Sequence, residues 1–210
     1  WKVFCYGGYM LTSLTYADIL RPSEKRLAVF YDIALIIVGS LFIAVFAQIA
    51  VGGLVPFTGQ TFAVLMIGAL FGARRGGLCL LVYIAEGAAG LPVFAQGKSS
   101  FAALAGPTGG YIIGFVFAAY IVGLLSEKGW DRRFRTTVLA MVLGNVVIYA
   151  FGLFWLSVLV GTGKALAVGL YPFIAGDFLK IVLAVVILPT GWKLLKVTNS
   201  PAKQNKSGQI

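Results

Sequence analysis

The sequence predicts an all-α integral membrane protein with six transmembrane helices and both termini in the cytoplasm. Of its 210 residues, 60% are hydrophobic and 11% charged, whereas soluble domains are about half apolar and about a quarter charged. Mean hydropathy is +0.94. Long apolar segments alternate with short connections, and these connections are alternately rich and poor in Lys and Arg. These observations exclude a disordered chain, a disulfide-stapled module and a DNA-binding domain.

Six apolar segments are candidates for the membrane spans, because a helix needs roughly 20 such residues to cross a bilayer core about 30 Å thick. They are residues 28–51, about 57–73, 76 to about 94, 106–125, about 137–160 and about 166–188. The second is short and polar at its start. No connection is long enough for another domain. We therefore predict an N-terminal lead-in (1–27), a six-helix domain (28–196) and a polar tail (197–210).

The distribution of positive charge predicts the orientation. Of 17 Lys and Arg residues, 13 lie in the termini and alternate connections that would share one side, and only Lys98 and Lys164 lie in the opposite connections. The 13 residues are Arg21, Lys25, Arg26, Arg74, Arg75, Lys128, Arg132, Arg133, Arg135, Lys193, Lys196, Lys203 and Lys206. Basic residues concentrate on the cytoplasmic side. The net charge of +10 thus indicates a multi-pass protein of a bacterial-type inner membrane and no nucleic-acid partner.

Catalytic, metal and cofactor chemistry is not expected. The chain has no histidine, the commonest general base and metal ligand. Cys5 and Cys79 are far apart and form no metal-binding spacing. Residues 96–99 (QGKS) are similar to the end of a P-loop, but Pro92 stands where its leading glycine belongs. We predict neither an enzyme nor an ATP site.

Three ionisable side chains fall inside predicted spans, where they are costly and commonly functional. Asp177 and Lys180, three residues apart, share one face of the sixth span, and Glu86 lies in the third. The orientation places all three in outer halves, so we expect them at the same depth. Two alternatives remain open: Asp177 and Lys180 could only neutralise each other, and Glu86 could lie at the interface. Asn145 is expected to form an interhelical hydrogen bond.

Small residues four apart predict close helix contacts. Gly68 with Gly72, and Gly106 with Gly110, are expected to pack within the chain. Ser40 and Ala44 give the first span a flat face, which we predict contacts a second membrane protein. The outer connection from 91 to 111 is long and rich in Gly and Pro, which is typical of a lid over a binding site.

Four sequence motifs stand out: VPFTGQT at 55–61, GLPVF at 90–94, GPTGGY at 106–111 and GDFLK at 176–180. Together they resemble the BioY family, the biotin-specific substrate-binding (S) components of energy-coupling-factor (ECF) transporters. The resemblance covers roughly residues 28–196. It implies a six-helix protein that binds biotin on the outer side and imports it with a coupling membrane protein and two ATP-binding-cassette (ABC) ATPases.

The resemblance also implies site residues. Asp177 and Lys180 match the family's Asp and Lys and are implied to hold polar groups of biotin, Tyr83 matches its Tyr in the third span, and GPTGGY shapes the pocket. Together with the lid, the predicted substrate-binding residues are Asp177, Lys180, Tyr83, Glu86, Tyr111, Gly106, Thr108, Phe94 and Gln96. The chain departs from the family at Ala175, where Pro is usual, and at Glu86, where an apolar residue is frequent.

The chemistry of biotin fits these side chains. Asp177 could accept the ureido N–H groups, Lys180 could serve either the ureido carbonyl or the carboxylate, and Tyr83, Tyr111, Phe94 and Phe101 could pack the apolar rings. Two other functions remain open. One is an S component for another small vitamin, and the other is a self-sufficient proton-coupled carrier, which would use Asp177 or Glu86.

Overall fold

The fold was analysed in a computed structural model, which describes residues 5–6, 9–10 and 14–198, with side chains from 14 to 195. The described helices are α1 (Tyr16–Ile19), α2 (Lys25–Gln48), α3 (Gln60–Ala88), α4 (Phe101–Ala105), α5 (Gly109–Glu127), α6 (Phe134–Val160), α7 (Thr162–Gly169) and α8 (Ile174–Thr198). Two short 3₁₀ turns lie at Ala95–Gly97 and Trp130–Arg132. The predicted tail from residue 199 onward lies outside the described residues.

Two antiparallel strand pairs, which the hydropathy pattern did not predict, complete the elements. The first joins β1 (Cys5–Tyr6) to β2 (Tyr9–Met10), and the second joins β3 (Ala50–Val51) to β4 (Phe57–Thr58). The second pair closes the connection between α2 and α3.

Five helices in the described part of the chain are long and apolar enough to cross a membrane: α2, α3, α5, α6 and α8 up to Leu195. The chain is thus a mainly helical membrane protein, as predicted. The six predicted spans map onto these five helices because the second and third both fall within α3. The sixth predicted span is divided, since a turn after α7 separates that short helix from α8.

Helix α3 is a hairpin of two helical segments. Gly72 has φ 83° and ψ 178°, a backbone conformation that only glycine adopts readily. In a straight helix, Gln60 and Tyr83 would be separated by about 35 Å. Instead, the Gln60 amide donates to the Tyr83 hydroxyl at 2.7 Å. The chain therefore reverses at Gly72 and returns both side chains to the same end.

The core is built on close approach of α3 to its neighbours. A side chain at Gly68 would lie 2.5 Å from the Ala119 carbonyl of α5, and one at Gly123 would lie 2.3 Å from the Ala73 nitrogen. Gly110 similarly contacts Phe151 and Trp155 of α6. Of the glycines predicted to pack within the chain, Gly68 and Gly110 approach neighbouring helices closely enough for extensive dispersion contact. Gly72 instead forms the turn of α3, and a methyl group at Gly106 would meet residues of its own segment.

Polar contacts close the end of the bundle at which Gly72 lies, which we call the basic end. Arg75 bridges Asp18 of α1 and Asp32 of α2, at 2.7 and 2.8 Å. The Ala73 amide donates to Glu127 at 2.9 Å. These contacts fix α1 and α2 against the turn of the α3 hairpin.

A fully buried carboxyl group lies at the same end, in the turn between α5 and α6. Asp131 accepts a hydrogen bond from the Trp192 indole at 2.5 Å, and the Arg132 guanidinium stacks on that indole, 4.3 Å from its ring centroid. Burial raises the pKa of the Asp131 carboxyl to about 6, against the opposing effects of the Trp192 hydrogen bond and the Arg132 charge.

The raised pKa predicts how stability depends on pH. Between about pH 4 and pH 6 the folded state retains a proton on Asp131 that the unfolded state has lost, so stability falls as pH rises through this range. The full effect is roughly 3 kcal/mol. We expect the Asp131→Asn variant to lack this fall in stability with rising pH. Thermal denaturation midpoints in detergent from pH 4 to 8 measure the difference between the two proteins; parallel profiles would contradict the assignment.

Candidate functional site

A cavity opens at the end of the bundle opposite the basic end. The segment 89–100, which we call the lid, covers it with Phe94 and Ala95, and α3, α5, α6 and α8 form its walls. Its lining includes Thr61, Tyr149 and Lys180. The α3 hairpin, whose two ends both lie here, therefore places polar side chains from several elements around one space.

A buried ion pair forms the polar wall of the cavity. Lys180 donates to Asp177 at 3.2 Å and to the Thr61 hydroxyl at 2.7 Å. The second carboxylate oxygen of Asp177 accepts the Tyr149 hydroxyl proton. Lys180 and Tyr149 line the cavity, and Asp177 lies directly behind them. An ion pair in such a place is tolerated because every charge has a partner.

An aromatic pair supports the lysine. The Lys180 ammonium lies 4.3 Å from the centroid of the Phe57 ring, a cation–π contact, and Phe57 stacks on Phe173. Phe57 reaches this position because Gly176 has no side chain: a methyl group there would lie 2.1 Å from the ring. Gly176 thus leaves room for the Phe57 ring beside Lys180, and Asp177 supplies the opposite charge to the Lys180 ammonium.

A hydrogen-bonded chain lies beneath the lid. Thr58 donates to the Gln60 side chain at 3.1 Å, Gln60 donates to Tyr83, and Tyr83 donates to the Val93 carbonyl at 3.0 Å. The Phe94 ring packs edge-on against Tyr83. This chain connects β4, both segments of α3 and the lid, and so fixes the inner surface of the lid.

Tyr111 connects the far wall of the cavity to α7. Its hydroxyl donates to the Gly169 carbonyl at 2.9 Å, and its ring meets Tyr149 edge-on. Thr108, just before α5, also lines the cavity. Gly106 contributes its carbonyl, which accepts the Trp155 indole proton at 3.0 Å. The GPTGGY motif therefore shapes the wall mainly through backbone placement and one tyrosine.

The structure brings most of the predicted site residues together but separates others from the cavity. Lys180, Tyr111, Thr108 and Phe94 line it, with Asp177 and Tyr83 immediately behind. The predicted convergence of three charges is wrong, since Glu86 faces α2 and accepts a hydrogen bond from Ser40 at 2.9 Å. Gln96, on the lid, donates to the Gly52 carbonyl at 3.0 Å.

The interpretation of Ser40 and Ala44 as a partner-binding face needs correction. Ser40 is fully buried and Ala44 nearly so, because this face of α2 packs on the second segment of α3. Asn145 is also buried, and within the described part of the chain its side-chain oxygen has no hydrogen-bond partner. The interhelical hydrogen bond expected there is absent.

Several contributors were not predicted. Tyr149 lies in the middle of an apolar span, where its buried hydroxyl requires a partner, and that requirement was the available signal. Thr61, Gln60 and Phe57 belong to the VPFTGQT motif but were given no role. Ala175 lies in the first turn of α8, which begins regularly at Ile174 without the usual proline. In the described part of the chain, no three Cys, Asp or Glu residues are grouped as metal ligands.

Comparisons with known proteins identify relatives of the chain. Residues 21–197 match the model of the BioY family. "Biotin transporter BioY" of Thermotoga maritima is 42% identical over 136 residues, 64% of this chain and 79% of that protein. "Probable biotin transporter BioY" of Pyrococcus horikoshii is 42% identical over 70% of this chain and 90% of that protein.

A solved structure also resembles the chain. It is described as the S-component for biotin from an ECF-type ABC transporter. The two share 26% identity with a TM-score of 0.67, over 82% of this chain and 95% of the other. The similarity therefore extends over nearly the whole length of the solved chain.

The contact between Gly176 and Phe57 predicts the effect of a single methyl group. The Gly176→Ala variant should be destabilised by about 1–3 kcal/mol, because the methyl group would displace the ring beneath Lys180. Gly163→Ala is the matched control, since nothing lies within 4 Å of its added side chain and alanine favours the helix. Unfolding in detergent compares them; equal stability of the two variants would refute the predicted overpacking.

Proposed function

The chain belongs to the BioY family, and we propose that it captures biotin in the cavity beneath the lid, as the S component of an ECF-type ABC importer. Like its relatives, it is a transport protein and not an enzyme. The observation that carries the proposal is the Asp177–Lys180 pair at the wall of an otherwise largely aromatic and apolar cavity. Such sites bind small molecules through a few well-placed polar groups.

The ion pair offers the hydrogen-bonding complement of a cyclic urea. A carboxylate only accepts and an ammonium only donates, whereas the ureido ring of biotin has two N–H donors and one carbonyl acceptor. We propose that Asp177 accepts from the ring and that Lys180 donates to its carbonyl or to the carboxylate of the side chain. Thr61 and Tyr149, which hold the pair, would rearrange to admit the ring.

The remaining walls suit the apolar parts of biotin. Phe94 from the lid, Tyr111 from α5 and Ile148 from α6 line the cavity and would pack the thioether ring and the aliphatic chain. Tyr83 would act indirectly, by holding Val93 and Phe94 in place. Of the other predicted site residues, Thr108 and Gly106 would shape the wall, Gln96 would belong to the lid, and Glu86 would stabilise the contact between α3 and α2.

Import requires energy from outside the chain. Family membership implies a coupling membrane protein and two ABC ATPases, and we propose that these partners complete the transporter. Because Ser40 and Ala44 face the core, we do not assign them to the partner interface. The proposed location is a bacterial-type inner membrane.

We further propose six membrane spans with both termini in the cytoplasm, and the domain limits 1–27, 28–196 and 197–210. The reversal of α3 at Gly72 supports this count, since it turns one long helix into two crossings. The cavity would then face the outside, and the basic end, with Arg75 and Arg132, would face the cytoplasm.

Removal of the carboxylate tests the substrate assignment. We expect Asp177→Ala to weaken biotin binding at least tenfold, about 1.4 kcal/mol, because a charged acceptor is lost and Lys180 is left without its counter-charge. Equilibrium binding of labelled biotin to the purified chain measures this, with thiamine and riboflavin as competitors that should not displace it.

The control is Asp131→Asn, which removes a buried carboxylate at the opposite end and should leave affinity unchanged. Unaltered binding by folded Asp177→Ala protein would reduce the pair to a structural role. Displacement by another vitamin would change the substrate.

The orientation has its own test. In a variant with Cys5→Ser and Cys79→Ala, a cysteine replacing Lys164 should react with a membrane-impermeant maleimide added to intact cells, and one replacing Lys128 should not. Both native side chains are exposed, so accessibility depends on the side of the membrane alone. Labelling at position 128 but not at 164 would invert the topology.

A further inference from the structure

Gln48, the last residue of α2, holds the lid by both ends of its amide group. Its nitrogen lies 3.3 Å from the Pro92 carbonyl and 3.3 Å from the Phe94 carbonyl, and its oxygen accepts the Gly97 amide proton at 3.1 Å. Gln48 itself does not line the cavity. One side chain outside the site therefore connects three positions of the lid to a membrane helix.

The backbone of the lid is strained at two positions. Gln96 has φ 62° and Ser100 has φ 84°, values that side chains other than glycine adopt rarely and at a cost. Such conformations persist only where surrounding contacts impose them. Around the lid, those contacts include the Gln48 bond to Gly97, the Gln96 bond to the Gly52 carbonyl, and a 2.7 Å bond from the Ser100 amide to the Gly87 carbonyl.

The inner surface of the lid depends on the same side chain. Gln48 bonds to the carbonyl of Phe94, whose ring lines the cavity and packs over Gly87, where a methyl group would lie 2.0 Å from the ring. Phe94 also contacts Tyr83, which bonds to Val93. Release of Gln48 would therefore loosen the part of the lid that carries Phe94, which would then depend on Tyr83 and Gly87 for its link to the helices.

We propose that Gln48 is a positioning residue that holds the lid closed over the cavity, and that biotin enters and leaves when its bonds to Phe94 and Gly97 break. This inference rests on the proposed function. Gln48 is exposed, so water competes for its hydrogen bonds and each is weak. Several weak bonds opposing local backbone strain form a closure that opens reversibly without unfolding a helix.

Binding kinetics distinguish this role from simple support of the fold. Gln48→Met keeps the length of the side chain and removes every hydrogen bond to the lid. Because the same bonds would have to break for biotin to enter and to leave, their loss should raise both the association and the dissociation rate of biotin at least fivefold. The equilibrium constant should change less than either rate. A dissociation rate within twofold of the parent, or faster dissociation with slower association, would overturn the proposal.

Two comparison variants sharpen the kinetic test. Val45→Ala alters an exposed residue one turn earlier in α2 and should leave both rates unchanged; an equal acceleration there would refute a specific role for Gln48. In a Phe94→Ala background, Gln48→Met should add less than a twofold change, since the residue acts through Phe94. Full additivity of the two effects would exclude that route.

Hydrogen exchange tests the closure without any ligand. In Gln48→Met, and in Gln48→Ala as a second variant, amides of residues 93–100 should exchange at least fivefold faster while those of α5 remain protected. Unchanged exchange in the lid refutes the inference. If the lid amides of the parent chain are protected by Gln48 but the chain does not bind biotin, the proposed function is refuted. The role of the lid in biotin entry is then refuted as well.

Discussion

The structure depends on a buried carboxylate and ammonium that must satisfy each other inside an apolar bundle. Asp177 and Lys180 lie one turn apart on α8, yet their other partners come from elsewhere: Thr61 from α3 and Tyr149 from α6. Loss of either charge would leave the other buried and uncompensated, which is far more costly than loss of a surface ion pair. The requirement for neutralisation thus fixes the relative positions of three helices, and the same polar groups are then available to a ligand.

Much of the architecture could be predicted because hydropathy and charge report on the membrane directly. The apolar lengths located α2, α5 and α6 to within about three residues at each end, and the GDFLK motif identified the central pair. The division of the sixth predicted span into α7 and α8 was missed, because the segment from Leu170 to Phe173 was judged by its hydropathy, although Gly169 and Pro172 are signals that a helix ends there. Hydropathy measures transfer to lipid, and it does not register a local break in helical geometry.

The sequence also did not predict the direction in which side chains face around a helix. Ser40 and Ala44 form a small-residue face, but such a face permits close packing on any neighbour, and here the neighbour belongs to the same chain. Glu86 was expected to join the other two charges but faces α2, because position along a span predicts depth alone, whereas rotation about the helix axis follows from packing. Gln48 carried no signal at all, because its partners are main-chain atoms of a distant loop.

The hairpin form of α3 has a consequence for the bilayer itself. Its two segments, on either side of Gly72, have about 12 and 16 residues and lengths of roughly 18 and 24 Å, while α2 and α6, with 24 and 27 residues, reach about 36 and 40 Å. The long helices expose their sides, and the short segments are mostly enclosed by protein. The perimeter helices can therefore span a hydrocarbon layer about 30 Å thick, with tilt accommodating their extra length, while the centre is much thinner. A molecule in the cavity faces a barrier whose thickness is set by the protein and not by the lipid.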